Sequence, residues 1–90
     1  MQKGQLKAIR QEATSTTAKE VSASNPYWKA RLFINEDAAI SIFLGQEGVS
    51  GATNGIELKA GEPFTDTLTT SKWFARAASG TPNLKVVEVE

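Results

Sequence analysis

Turn-forming residues interrupt this chain about every 8–12 residues from Ser24 onward, and no ten-residue stretch between them shows helical periodicity, which points to an all-β domain. The breaks fall at Ser24-Asn25-Pro26, at Glu36-Asp37-Ala38-Ala39, in the run 46–55, at Ala60-Gly61-Glu62-Pro63 and around Ser79-Gly80. Between them apolar and polar residues alternate with a period of two, the mark of a half-buried strand. In YWKARLFINE (27–36) this predicts a core face of Trp28, Ala30, Leu32 and Ile34, with Tyr27, Lys29, Arg31, Phe33 and Asn35 on the opposite face. The segment 40–45 presents Ile40, Ile42 and Leu44 inward, and 71–80 presents Trp73, Ala75 and Ala77. Two short strands flank Ala60-Gly61-Glu62, the first turning Ile56 and Leu58 to the core. The terminal segment 83–90 places Leu84, Val86 and Val89 inside. With a looser, β-branched segment at 14–23, about seven strands result, which predicts a small antiparallel β-sandwich or a jelly-roll-like barrel.

The first thirteen residues stand apart. They are polar, and Leu6 and Ile9 are too few to hold a short helix in water. They read as an extended N-terminal arm (1–13) on a β-sandwich domain (14–90). Charge divides in a related way. Residues 1–31 hold six cations and two anions (+4), and residues 32–90 hold four cations and eight anions (−4). A basic arm of one chain would dock on the acidic body of another. A chain of 90 residues buries only about 60–65% of its unfolded surface. With no cysteine to staple it, oligomerisation is the remaining common way to add buried area.

The composition excludes several kinds of chemistry. Histidine and cysteine are both absent, which removes Ser–His–Asp and Cys–His catalysis and metal sites built on those ligands. The adjacent carboxylates Glu36 and Asp37 lack the separation that a glycosidase needs. With Asn35 they form an oxygen-rich group of the calcium-binding kind, for which a polar hairpin turn is the simpler reading. The chain is thus expected to be no enzyme, with no cofactor and no metal. Tyr27, Trp28, Lys29 and Arg31 interleave aromatics with cations as single-strand binders do. However, zero net charge and a pI near 6.3 argue against nucleic acid. No apolar run approaches the length of a membrane-spanning helix, and the first residues lack the apolar core of a secretory signal. Trp28 and Trp73 lie at core-face positions, where packing explains them better than a sugar-stacking platform.

The glycines of GATNGIELKAGEPFTDTL (51–68) read as folding punctuation. Asn54-Gly55 suits a turn requiring positive φ, and Pro63 belongs at the start or edge of a strand. The preceding loop, 46–53, is too long for a tight hairpin and carries no phosphate-binding pattern, so it is expected to contact a neighbouring protein. Residues singled out for partner binding are Lys3, Leu6, Lys7, Ile9 and Arg10 of the arm, and Gln46, Glu47 and Val49 of this loop.

The order TAKEV, NPYWKARLFINEDAA, SIFLGQEGVSGATNGIELKAGEPFTDTL and WFARAASGTPNLKVVEVE, over about 75 residues, resembles the small β-sandwich structural proteins of tailed bacteriophages, of the capsid-decoration and head-fibre type. The resemblance implies a non-enzymatic virion protein. It would be made in the host cytoplasm and bind the major capsid protein or another virion protein, commonly as a trimer, to stabilise the shell. A tail, adaptor or fibre-base component is the nearest alternative, and a carbohydrate-binding module is the alternative from another class.

Overall fold

Alternation and turn chemistry together produce eight strands in the computed structural model, which describes residues 3–90. They are β1 (Leu6–Ala13), β2 (Lys19–Ser22), β3 (Ala30–Asn35), β4 (Ile42–Gly45), β5 (Gly55–Leu58), β6 (Pro63–Asp66), β7 (Trp73–Ala77) and β8 (Asn83–Val89). Two four-stranded antiparallel sheets result, in the orders β1-β8-β3-β6 and β2-β7-β4-β5. The pairs β1·β8, β2·β7, β3·β6 and β4·β5 are nested, so the chain is one long hairpin folded over into two layers. That wrap is the jelly-roll form of the sandwich, and the expected fold class is the one observed.

The core lies between the layers. Phe33, Leu84 and Val86 of the first sheet meet Val21, Ile42, Leu44, Leu58 and Ala75 of the second. Phe64 and Trp73 close one end, with the Trp73 ring 5.8 Å from that of Phe33 and 5.6 Å from that of Phe64. Ile42, Leu44, Ala75 and Ala77 point inward as the alternation predicts.

Three expectations are corrected. First, the stretch read as an arm is the edge strand β1, in register with β8 from Leu6 opposite Val89 to Ala13 opposite Asn83. Its polarity has a physical cause: an edge strand covers the sandwich margin, so only Ala8, Arg10 and Glu12 are half-buried while the alternate side chains stay exposed. The division at residue 13 therefore falls at the end of a strand within one sheet, and Met1 and Gln2 lie outside the described residues.

Second, β3 faces the other way. Arg31, Phe33 and Asn35 are fully buried, and Ala30, Leu32 and Ile34 are half-buried on the outer surface. A period of two identifies a strand, but both faces of this one carry large apolar groups, so its neighbours decide which turns inward. Arg31 lies opposite Asp66 of β6 and Glu88 of β8, and Phe33 lies opposite Phe64 and Val86. The Asn35 amide donates to the carbonyls of Ile40 and Leu58, each at 2.8 Å. On β8 the same alternation turns Glu88 inward and Val89 outward.

Third, Gly55 is required for packing rather than for positive φ, which occurs at Gly48, Gly61 and Gly80. Gly55 pairs with Gly45 across β4 and β5, and Val49 folds back over both. A Cβ on Gly55 would come within 2.6 Å of Val49 Cγ2 and 2.9 Å of the Gly51 carbonyl oxygen. Asn54 acts through its side chain, accepting from the Ser50 amide and donating to the Gly48 carbonyl. Pro63 opens β6 at the sheet edge, as its missing N–H demands.

Candidate functional site

The most concentrated chemistry is a chain of charges at one end of the interior. Arg31 Nη2 donates to Asp66 Oδ2 at 3.0 Å and to the hydroxyl and carbonyl of Thr69, both at 3.1 Å. Its Nη1 donates to the Ser71 carbonyl at 2.6 Å and to Ser22 Oγ at 3.2 Å. Ser22 in turn donates to Glu88 Oε2 at 2.6 Å, and Glu88 is clamped by both Nη atoms of Arg10. Arg10 also donates to the Val21 carbonyl at 2.6 Å and to Glu12 at 2.8 Å. The network ties β1, β2, β3, β6 and β8 together.

The titration behaviour follows from these contacts. Burial opposes ionisation of Asp66, but hydrogen bonds from the Thr69 hydroxyl, the Trp73 indole and the amides of Leu68 and Thr69 hold its carboxyl down at about 2. Burial likewise opposes ionisation of Glu88, and donation from Arg10 and Ser22 holds its carboxyl below the usual range. Burial draws the Arg31 guanidinium down while Asp66 and Glu88 push back, and an arginine stays charged at any physiological pH. Two of the six cations of residues 1–31 are used within the chain against anions of the body: Arg10 meets Glu88 and Arg31 meets Asp66. The contacts of the network run between strands of both sheets, so they hold the sandwich together, and among the described residues Arg31 Nε is the one buried side-chain polar atom without a hydrogen-bond partner.

The Asn35–Glu36–Asp37 group is a turn. Asn35 Oδ1 accepts from the Asp37 amide, and Asp37 Oδ2 accepts from the amides of Ala39 and Ile40. Glu36 faces Gln11 and Lys85 instead. Among the described residues no three acidic groups gather as a metal would need. Trp28 is half-buried, with its indole N–H on the Ala23 carbonyl and its ring under the Arg31 guanidinium. Trp73 packs between the sheets, so the two indoles are held by separate sets of neighbours.

The residues singled out for partner binding divide into two surfaces. Leu6 and Ile9 are 59% and 58% exposed on the outer face of the first sheet, with Lys3 and Lys7 exposed beside them. Ile9 lies opposite Val87, which lies opposite Leu32, so one apolar row crosses three strands. Arg10 points the other way, into the network. The second surface is the open end formed by the loops 46–54 and 67–72. Gln46 and Glu47 are exposed there, whereas Val49 is buried and serves as the plug of its own loop. Ser71, Lys72 and Trp73 complete this end. Alternation could not reveal them, because they belong to a loop and the strand start after it; the Asp-Thr-Leu-Thr turn beginning at Asp66 is the local signal that this loop is structured. Comparison with protein-family models, with curated proteins and with solved structures finds no match to the chain.

Proposed function

We propose that this chain is a non-catalytic virion structural protein that binds and stabilises an assembled capsid as a trimer, with the outer face of the β1-β8-β3-β6 sheet as its docking surface. The observation that supports this reading is the row Ile9–Val87–Leu32, continued by Leu6 and flanked by Lys3 and Lys7. Large apolar side chains more than half exposed on an edge strand are costly in solution and favourable under a partner. The flanking lysines fit a shell protein that offers an apolar strip with an acidic rim. A small contact of this kind binds weakly alone, and repetition over a lattice multiplies it. The closed charge network and the absence of histidine and cysteine support a binding role over catalysis.

Sedimentation tests the proposal. The purified protein should run as a trimer and should pellet with procapsids or expanded capsids of its own particle up to a fixed stoichiometry. Leu6→Ser and Ile9→Ser should abolish pelleting without unfolding the chain. A monomer that stays in the supernatant overturns the proposal. A density at the tail, adaptor or fibre base in micrographs of the particle would move the role there.

A further inference from the structure

We infer that the loop end of the sandwich is a binding groove for a short, uncharged saccharide. Three concavities of about 460, 380 and 100 Å³ adjoin one another there, and Gln46 lines all of them. The largest falls within the range typical of small-molecule sites.

The walls are fixed in advance. Arg31 holds the 67–72 loop through the carbonyls of Thr69 and Ser71, and Asp66 holds its start through the amides of Leu68 and Thr69. The Asn54 side chain and the buried Val49 hold the opposite loop. The floor is apolar. Trp73 is fixed in orientation by its indole N–H on Asp66 at 2.8 Å. Ile56 pairs with the fully buried Leu44 and so points between the sheets, yet it is 38% exposed because the groove opens over it.

The rim differs from the walls. Among the described residues, the side chains of Gln46, Glu47, Thr53 and Ser71 make no hydrogen bond, and Lys72 reaches only Glu20, at 3.7 Å. One carboxylate and one ammonium leave the rim neutral, which disfavours phosphates and polyanions. The rim carries both donors and acceptors, above a floor to which Trp73 and Ile56 contribute. A pyranose offers the complementary pattern, with hydroxyls at its edge and a C–H face to lay on Ile56 and on the part of Trp73 that its packing against Phe33 and Phe64 leaves open to the groove. The groove shares no residue with the Leu6–Ile9 face, so both surfaces are open to occupation at once.

Amide NMR of the full chain tests this with linear oligomers of glucose (both anomeric linkages), mannose and N-acetylglucosamine, each added to about 10 mM, high enough to register millimolar binding. At least one should give saturable shifts confined to Gln46, Glu47, Thr53, Ser71, Lys72 and the Trp73 indole. Gln46→Ala and Thr53→Ala, both at exposed positions, should weaken that binding at least about tenfold with the urea midpoint unchanged. Ile9→Ser should leave it intact, which separates this site from the capsid-facing one. Silence from every oligomer overturns the inference. So do shifts scattered outside the groove, or affinity indifferent to both groove variants. Saturable shifts at these residues with an extended peptide alone would assign the groove to a protein partner and equally overturn it.

Discussion

Two rows of side chains cross the inner face of the first sheet, two residues apart. One is Val86–Phe33–Phe64; the other is Glu88–Arg31–Asp66. Both occupy β8, β3 and β6, and the central residue of each is fully buried. The first is held by area and ring packing, the second by hydrogen bonds to both Nη atoms of Arg31 and to both carboxylates, with Arg31 Nε left without a partner. An apolar row tolerates imperfect neighbours at a graded cost. A charged row is stable only while complete, because each member depends on the others for its solvation.

Breaking the rows should give similar losses by different routes. Phe33→Ala should cost about 3–5 kcal/mol, as expected for truncating a buried aromatic. Arg31→Ala should cost about 3–5 kcal/mol by leaving Asp66 and Glu88 without their shared cation. Urea midpoints at neutral pH measure both. Acid tells them apart: as pH falls through about 2, where Asp66 protonates, the Arg31→Ala deficit should shrink, while the Phe33→Ala deficit should persist. A charge row that merely fills space would give two parallel curves. Replacing Arg31, Asp66 and Glu88 together by apolar residues of similar volume should recover most of what Arg31→Ala loses.

The intact protein carries a gentler version of the same test. Asp66 has a folded value of about 2 against 3.8 for its ordinary state. A folded pKa below the unfolded one adds stability that is fully present above about pH 4 and is lost as pH falls through about 2. For Asp66 this amounts to about 2 kcal/mol, and Glu88, shifted in the same direction, adds to it. Asp66→Asn should flatten the acid limb of a plot of stability against pH. An unchanged limb would mean that other carboxylates govern acid unfolding.

These rows also explain how far the sequence could be read. Strand identity depends on period, and period is local; all the strands from β2 to β8 lie in segments whose alternation predicts them. Facing depends on which neighbour supplies the counter-charge, and that is not local. Arg31 in YWKARLFINE looks like a solvent-facing cation until Asp66, 35 positions on, lies opposite it. Edge position has the same character. The polarity of 6–13 suits a free arm and an edge strand alike, and only pairing with β8 separates them. Of the candidate site residues, Lys3, Leu6, Lys7, Ile9, Gln46 and Glu47 are exposed, whereas Arg10 and Val49 turned inward for reasons that the sequence carries only in Glu88 and in the facing glycines 45 and 55.

That glycine pair offers a smaller disturbance, away from both rows. Gly55→Ala places a methyl group against Val49 Cγ2 and against backbone oxygens of Gly51 and Leu44, which lie 2.9 and 3.0 Å away and yield less easily than a side chain. Overpacking of this kind should cost about 1–3 kcal/mol. Val49→Ala should cost less in the Gly55→Ala background than in the parent chain, since the closest of the three contacts disappears. Equal costs in the two backgrounds would place the whole penalty on the backbone oxygens.

The smallest expected effect lies on the outer side of the same sheet. Ile9 shares β1 with Arg10, but its side chain faces solvent while that of Arg10 reaches Glu88. Ile9→Ser should therefore shift stability by no more than about 0.5 kcal/mol, because it removes contact area that the isolated chain barely uses. Arg10→Ser, one residue along, should cost several times more by leaving Glu88 buried without its clamp. If Ile9→Ser proved as damaging as Arg10→Ser, the outer row would already be buried against another copy in solution. Its apolar character would then serve self-association rather than a separate shell. Repeating the Ile9→Ser measurement over a wide range of protein concentration decides this, since a loss caused by a broken oligomer grows with concentration and one within the chain does not.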